Sequence, residues 1–541
     1  MGYFVAIVSV FLAVSALTAL RPGRKGIFQF LAYPVGWAAG ELAGQALILQ
    51  CALVGLLVWW GWPSSSWLGE VVVIVAAVVV GANAILIGVQ FLSRRVVRRA
   101  MLDAPVHPLE IPKPRDDQFG SWWRTMLQIP WHPKDMILTK NVYYGPLPRH
   151  RLDIWRQSTT PQHAPVIYYI HGGAWTFGDK REQGRPMLHE FVRRGWIVVA
   201  INYRLAPKYA WPAQIEDVKR ALGWIKKNIA SRGGDPERIV VAGGSAGGHL
   251  AALLALTADD PTWRPAEMRD FDDWSVRGCI SLYGVLEMMG DPVVWQGRGR
   301  GLVRLLEEAV VLKPLVGNED VYRSLSPMQR LHENAPPFLV IHGGNDTLVD
   351  VNVARTFVER FRNEAFAPIY YVEIPLTQHA FDVTASPRTS STTRAAVAFA
   401  EACAERVSPP SQELLGLNEV PSTELRVNVD GEQFTARDAA DRIGDFVVVT
   451  SANPYSQLRT AAENEQSHAA LLKDLSRRGE HVWQTEAVNQ NGSWPDETGV
   501  ALAGWSLERA RSLAQAWGQH AFYSVTRDDI VVHRTTTTPL A

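Results

Sequence analysis

Residues 238–256 read RIVVAGGSAGGHLAALLAL, and the fold is decided here. A β-branched run ends at Ala242, small residues follow from Gly243 to Gly247, and helical apolar text begins at His249. A G-x-S-x-G pentapeptide set between a strand and a helix predicts a tight, strained turn. Small neighbours let the backbone make that turn and leave the Ser245 hydroxyl exposed as a nucleophile.

Short apolar runs recur on both sides of this stretch, at 166–170, 196–203, 279–284, 338–343 and 369–374. Helical text separates them. AQIEDVKRALGWIKKNIA carries apolar residues at helical spacing and is closed by Gly233 and Gly234. Two more strands lie within 136–156, joined by turn text from Gly145 to Pro148. Such alternation predicts an α/β fold, with a mostly parallel sheet and helices on both faces.

The ends of those strands carry polar text that suits acyl transfer. His171-Gly172-Gly173-Ala174-Trp175 follows the run 166–170. Acyl transfer develops negative charge on the carbonyl oxygen, and backbone N–H groups on small residues can approach it closely. Gly172, Gly173, Ala174 and Ala246 form the candidate oxyanion hole, with Gly173, Ala174 and Ala246 as its foremost donors. Asp346 follows the run 338–343 and His379 follows 369–374, both just past strand ends. The chain order Ser245, Asp346, His379 suits a base that takes the serine proton and an acid that orients the base. Asp350 is the alternative acid, and Asp382 reads as structural. His171 reads as orienting the oxyanion loop, His249 as packing or surface, and His342 as a strand residue beside Asp346; none is given a chemical role.

HGGAW, then YRLAP with Trp211-Pro212, then GGSAGG, HGGNDTLV and QHAFD stand in one order. Together they resemble the hormone-sensitive-lipase-like branch of α/β-hydrolases. Uncharged spans ahead of them resemble the membrane-anchored carboxylesterases of that branch found in actinobacteria. The resemblance covers roughly residues 1–405 and implies Ser245 as nucleophile with Asp346 and His379 as partners. It also implies short- to medium-chain ester substrates. Two departures stand out: Ala174 where the branch often has a third glycine, and Gly244 where it often has an acidic residue.

Residues 3–20, 42–62 and 71–92 carry no charge, and about 20 apolar residues cross a bilayer, so three spans are expected. Trp59, Trp60, Trp62 and Trp67 stand where an aromatic belt would lie. A cleaved leader is disfavoured, because Arg21, Arg24 and Lys25 follow the first segment instead of preceding it. With Arg94, Arg95, Arg98 and Arg99 after the third span, the positive-inside rule sets the N-terminus outside. The catalytic and C-terminal parts are then cytoplasmic, in a multi-pass bacterial plasma-membrane protein. Residues 93–135 read as a linker with an amphipathic piece around Trp122, Trp123 and Trp131. That piece and the excursion 285–335 are expected to cover an apolar acyl pocket.

Residues 407–424 read as a second linker and 425–535 as a small α+β domain. Asn453, Pro454, Glu463, Asn464, Trp494, Glu497, Gln519, His520 and Ala521 resemble a small bacterial domain family of unknown function. That likeness implies no activity. Asn453, Glu463 and Glu497 read as a turn residue, a helix-start charge and a surface carboxylate in preference to a ligand site.

Composition narrows the function classes. Fifty-four basic residues balance 54 acidic ones, which excludes a nucleic-acid binder held by bulk charge. Cys51, Cys279 and Cys403 are too few and scattered for a disulfide scaffold or a zinc site. No metal-ligand spacing or phosphate loop occurs, so neither cofactor nor metal is expected. The expected organisation is a transmembrane region at 1–92, a linker at 93–135, an α/β-hydrolase at 136–406, a linker at 407–424 and the α+β domain. Its partners are an ester, lipid-derived or membrane-partitioning, and the bilayer. An acyltransferase with the same triad, a membrane-tethered sensor on a hydrolase fold and a peptidase are the alternatives.

Overall fold

The computed structural model describes residues 2–535 apart from 24–26, 60–66, 103–108, 113–121, 129–134, 259, 269–270, 272, 406–422, 453–459, 490–495 and 520. Arg24, Lys25, Trp60, Trp62, Trp131, Asn453, Pro454, Trp494, His520 and nearly all of the expected linker 407–424 lie outside the described residues, as do the side chains of Trp67, Trp122 and Trp123.

Four helices begin the chain: α1 (Gly2–Leu20), α2 (Ile27–Glu41), α3 (Ala43–Trp59) and α4 (Trp67–Leu102). Of the three expected spans, the described residues bear out one by length and composition. Within α4, Glu70–Leu102 is by itself long and apolar enough to cross a membrane. Helices α2 and α3 qualify only as a pair, Ala32–Glu41 with Ala43–Leu56, bent by 79°. Ile7–Leu20 is apolar but shorter. The stretch between the first two expected spans holds helix α2, with Pro34 inside it.

Polar partners explain the break between α2 and α3. Gln90 Nε2, from α4, donates to Gly40 O at 2.5 Å and to Glu41 O at 3.3 Å. Arg388 Nη1 donates to Gly40 O at 3.0 Å and meets Glu41 Oε1 at 2.7 Å. Carbonyls released by a bend in an apolar setting need such partners.

Helix α4 also runs beyond the expected span end at residue 92, so 93–102 is helix and not linker. Arg94, Arg95, Arg98 and Arg99 are exposed, while Val97 and Met101 on the opposite side are buried. A six-residue helix, α5 (Trp122–Leu127), follows.

An eight-stranded sheet comes next: β1 (Met136–Tyr143), β2 (Arg151–Gln157), β3 (Ala164–Ile170), β4 (Ile197–Ile201), β5 (Gly234–Gly244), β6 (Gly278–Leu282), β7 (Phe338–Gly343) and β8 (Ile369–Ile374). Its order is β1-β2-β4-β3-β5-β6-β7-β8. β2 is antiparallel to β1 and β4, and the other pairs are parallel. Helices α6 (Arg185–Arg193), α7 (Ala213–Asn228), α8 (Ala246–Leu256), α9 (Arg300–Leu305), α10 (Glu319–Leu325), α11 (Val351–Glu364) and α12 (Pro387–Glu405) complete it.

Strand alternation splits the core between the two faces. Val166, Tyr168 and Ile170 pack with α7, α8 and α11. Ile167 and Tyr169 pack with α6, α12 and the end of α4. Both faces being covered, the strands read as continuous apolar runs. The excursion 285–335 packs α9 and α10 into the first of these cores through Leu286, Trp295, Leu306, Tyr322 and Leu325. The chain moves from β3 to β4 on one side and then to β5 on the other. The crevice between the C-terminal ends of β3 and β5 is thus the topological switch point, where open α/β sheets place their ligands.

A second, wholly antiparallel sheet of seven strands follows: β9 (Thr423–Val429), β10 (Glu432–Thr435), β11 (Phe446–Thr450), β12 (Trp483–Asn489), β13 (Glu497–Ala503), β14 (Ala521–Val525) and β15 (Ile530–Arg534). Helix α13 (Ala436–Ile443) packs on one face, and α14 (Ala461–Arg477) and α15 (Leu507–Ala516) pack on the other. Glu463 closes a capping box with Thr460 at the start of α14. Phe366, from the loop before β8, inserts into the core under α14 and α15. Its ring meets the Arg478 and Arg509 guanidinium groups at 4.9 and 5.7 Å, which docks the two sheets' layers to each other.

Arg388→Ala leaves Glu41 buried without its cation and should cost about 3–5 kcal/mol of stability. The double variant Glu41→Met, Arg388→Leu should recover most of that. Thermal and denaturant unfolding of the full chain in detergent measures both.

Candidate active site

Ser245 lies between β5 and α8 at φ 55° and ψ −122°. Its N–H donates to Leu282 O at 2.9 Å, and its carbonyl accepts from His249 N at 2.9 Å. Every residue of α8 is buried, so the helix is held rigidly under the turn. Gly244 backs onto Tyr283: a Cβ there would sit 2.7 Å from the Tyr283 hydroxyl. The departure at position 244 thus has a steric cause, since Tyr283 fills the space beside the turn.

The loop after β3 places Gly173 at φ 115°, Ala174 at φ 48° and Trp175 at φ 60°. Thr176 N and Phe177 N both donate to Gly173 O, at 2.9 and 3.0 Å, and close it tightly. The N–H groups of Gly173, Ala174 and Ala246 have no acceptor among the described residues. Gly172 is a correction. Its N–H donates to Gln183 Oε1 at 2.8 Å, so it is not free to meet an oxyanion. Gln183 carries no motif, and nothing in the sequence marks it. Ala174 holds a left-handed conformation that costs a non-glycine residue about 1–2 kcal/mol.

Asp346, after β7, and His379, after β8, are buried and meet at 2.7 Å between Oδ2 and Nδ1. Asp346 Oδ1 accepts from Leu348 N and Val349 N, each at 2.9 Å. His342 Nε2, from the strand beside Asp346, adds a contact to Oδ2 at 3.3 Å. Burial pushes the Asp346 carboxyl upward, but the His379 and His342 rings outweigh it and hold the group well below the usual carboxylate range. Asp350 is turned elsewhere. It caps α11 by accepting from Asn352 N at 3.0 Å, and it pairs with Arg298. Tyr283 lies edge-on to His379, with ring centroids 4.6 Å apart, and donates its hydroxyl to Asp382. Ser245 Oγ forms no hydrogen bond among the described residues.

Two further histidines build the walls. His171 stacks on Tyr203 at 4.4 Å, and its Nδ1 meets Gly172 O at 2.7 Å. His249 Nδ1 accepts from Trp175 Nε1 at 3.1 Å, and its Nε2 meets Leu325 O at 2.7 Å. Burial lowers both pKa values from 6.5 to about 4.

Asp346→Asn should leave the fold intact and reduce kcat by about 10⁴, by freeing the wrong imidazole tautomer. Asp350→Asn should change kcat by less than about tenfold and lower stability through the lost ion pair with Arg298, because Asn still caps α11. Ester kinetics paired with unfolding curves separates the two.

The histidines set the sign of a pH dependence. Below the unfolded pKa of 6.5 the unfolded chain binds protons that neutral His171 and His249 refuse until about 4. Stability should therefore fall between these values as acid is added. His249→Gln should flatten that slope in unfolding midpoints measured from pH 7 to pH 4.

Residues 152–361 match the BD-FAE family model, and residues 449–522 match the model described as a protein of unknown function, DUF3293. The chain is 42% identical over 269 residues to the "Probable carboxylic ester hydrolase LipM" of Mycobacterium tuberculosis, covering 49% of this chain and 61% of that protein. It is 40% identical over 265 residues to "Esterase LipC" of the same organism, covering 48% of this chain and 64% of that protein. The chain thus spans under two thirds of the length of these curated relatives. Among solved structures, esterase B from Lactobacillus rhamnosis aligns with a TM-score of 0.43 at 21% identity, covering 52% of this chain and 93% of that one. Residues 152–361 thus resemble the BD-FAE family, the chain around them is similar to the mycobacterial Lip esterases, and residues 449–522 resemble DUF3293.

Proposed function

We propose that the protein is a membrane-anchored serine carboxylesterase. The observation that carries this reading is a serine on a strained strand–helix turn in a sheet that also holds a buried His379–Asp346 pair at 2.7 Å, with Tyr283 packed against both the turn and the His379 ring. The names of the mycobacterial relatives, an ester hydrolase and an esterase, support it.

Ser245 Oγ attacks the ester carbonyl while His379 takes its proton. The carbonyl oxygen becomes an oxyanion and receives the N–H groups of Gly173, Ala174 and Ala246. Asp346 holds the imidazole with Nε2 toward the serine and stabilises its protonated form. The tetrahedral centre collapses, and His379 gives its proton to the departing alcohol. Water then attacks the acyl-serine with His379 again as base, and the released acid restores Ser245. Short- to medium-chain esters are the substrates this reading assigns.

The anchor is α4, with α1 and the bent α2–α3 pair beside it. Arg94, Arg95, Arg98 and Arg99 at its C-terminal end set the catalytic and C-terminal domains on the cytoplasmic side.

The full chain, in lipid nanodiscs, should hydrolyse p-nitrophenyl esters from acetate to palmitate with a maximum at short to medium chains. Ser245→Ala and His379→Ala should each lose at least about a thousandfold in kcat, because the residues act as a unit. Turnover surviving Ser245→Ala would end the serine mechanism. Ester product forming in place of acid, when an alcohol is added, would reveal acyl transfer.

A further inference from the structure

The loops that carry Asp346 and His379 are each tied, one residue from the catalytic side chain, to the N-terminal helices. Asn345 Nδ2 donates to Ala19 O at 3.0 Å and to Leu20 O at 3.4 Å. These are among the carbonyls that the end of α1 leaves without a helical partner. Trp37 Nε1, on α2, donates to Ala380 O at 3.0 Å. Ala380 is left-handed at φ 54°, so the chain turns sharply just after His379 and its carbonyl is aimed at the indole. On the other side of His379, a Cβ on Gly36 would come within 3.2 Å of Gln378 Nε2, so α2 lies directly on the loop. One turn earlier, the Tyr33 ring stands edge-on to His379 with centroids 6.2 Å apart. Residues 33, 36, 37 and 40 share one helical face, and that face runs along the His379 loop to the Arg388 contact at Gly40 O, 3.0 Å.

We propose that Asn345 and Trp37 are positioning residues, through which α1 and α2 hold the acid and base loops in register with Ser245. The catalytic site is then complete only with the N-terminal helices in place. The inference rests on the serine-esterase reading. A base displaced by a fraction of an ångström loses the in-line contact with its nucleophile, and the loss falls on the chemical step.

The test uses the full chain in nanodiscs with p-nitrophenyl butyrate. Active sites are titrated with a fluorophosphonate, so turnover is counted per reactive serine. Trp37→Phe keeps an aromatic six-membered ring and removes the indole N–H; Asn345→Ala removes the other tie. Each should lower kcat per titrated site roughly five- to tenfold, about the worth of one hydrogen bond, with KM unchanged. The rate of fluorophosphonate labelling should fall in parallel. Unchanged kcat per titrated site in both variants overturns the inference, as does a loss explained wholly by fewer titratable sites. A parent chain that neither turns over ester nor labels defeats the esterase reading and this inference together.

Discussion

Ser245 at φ 55° and ψ −122° is the constraint around which the site is built. Such a conformation costs a non-glycine residue about 1–3 kcal/mol and persists only where its surroundings over-determine it. Here the determinants are the central position of β5, the burial of all of α8, and the hydrogen bond from Ser245 N to Leu282 O at 2.9 Å. The same turn sets Ala246 as the first residue of α8, where its N–H has no helical partner. On the proposed reading, nucleophile and one oxyanion donor come from a single backbone feature. The proposed donors Gly173 and Ala174 follow β3, which pairs directly with β5.

The N-terminal helices and the hydrolase sheet share a polar seam and an apolar one. Val97 and Met101 of α4 join the core with Met187, Leu188 and Phe399. At the break between α2 and α3, Gly40 O and Glu41 O need partners, and Gln90 and Arg388 provide them. An unpaired carbonyl in an apolar setting costs several kcal/mol, so these bonds both permit the bend and fix where α2 lies. The direction of α2 across the His379 loop follows from that bend.

Local pattern made much of the hydrolase domain legible. The apolar runs at 166–170, 196–203, 238–243, 279–284, 338–343 and 369–374 correspond to β3 through β8 within a few residues, because strands buried on both faces must be apolar throughout. The glycines around Ser245, and Asp346 and His379 just past strand ends, could be found because their signals are short and contiguous. Helix α2 could not, since Pro34, Gly36 and Gly40 weaken its local signal and its stability comes from what it lies against. The short segments of β9, β10 and α13 pair and pack within the second sheet.

The sequence by itself determined the strand set, the turn at Ser245 and the chain order of serine, acid and base. These depend on side-chain size and hydrophobic period over a few neighbouring residues. Only the tertiary structure decided which acid meets His379, that Gly172 is occupied by Gln183, and that Asn345 and Ala380 are held by α1 and α2. The partner of a buried polar group is whichever group the packing of distant elements brings within hydrogen-bond reach, and no local pattern encodes that meeting.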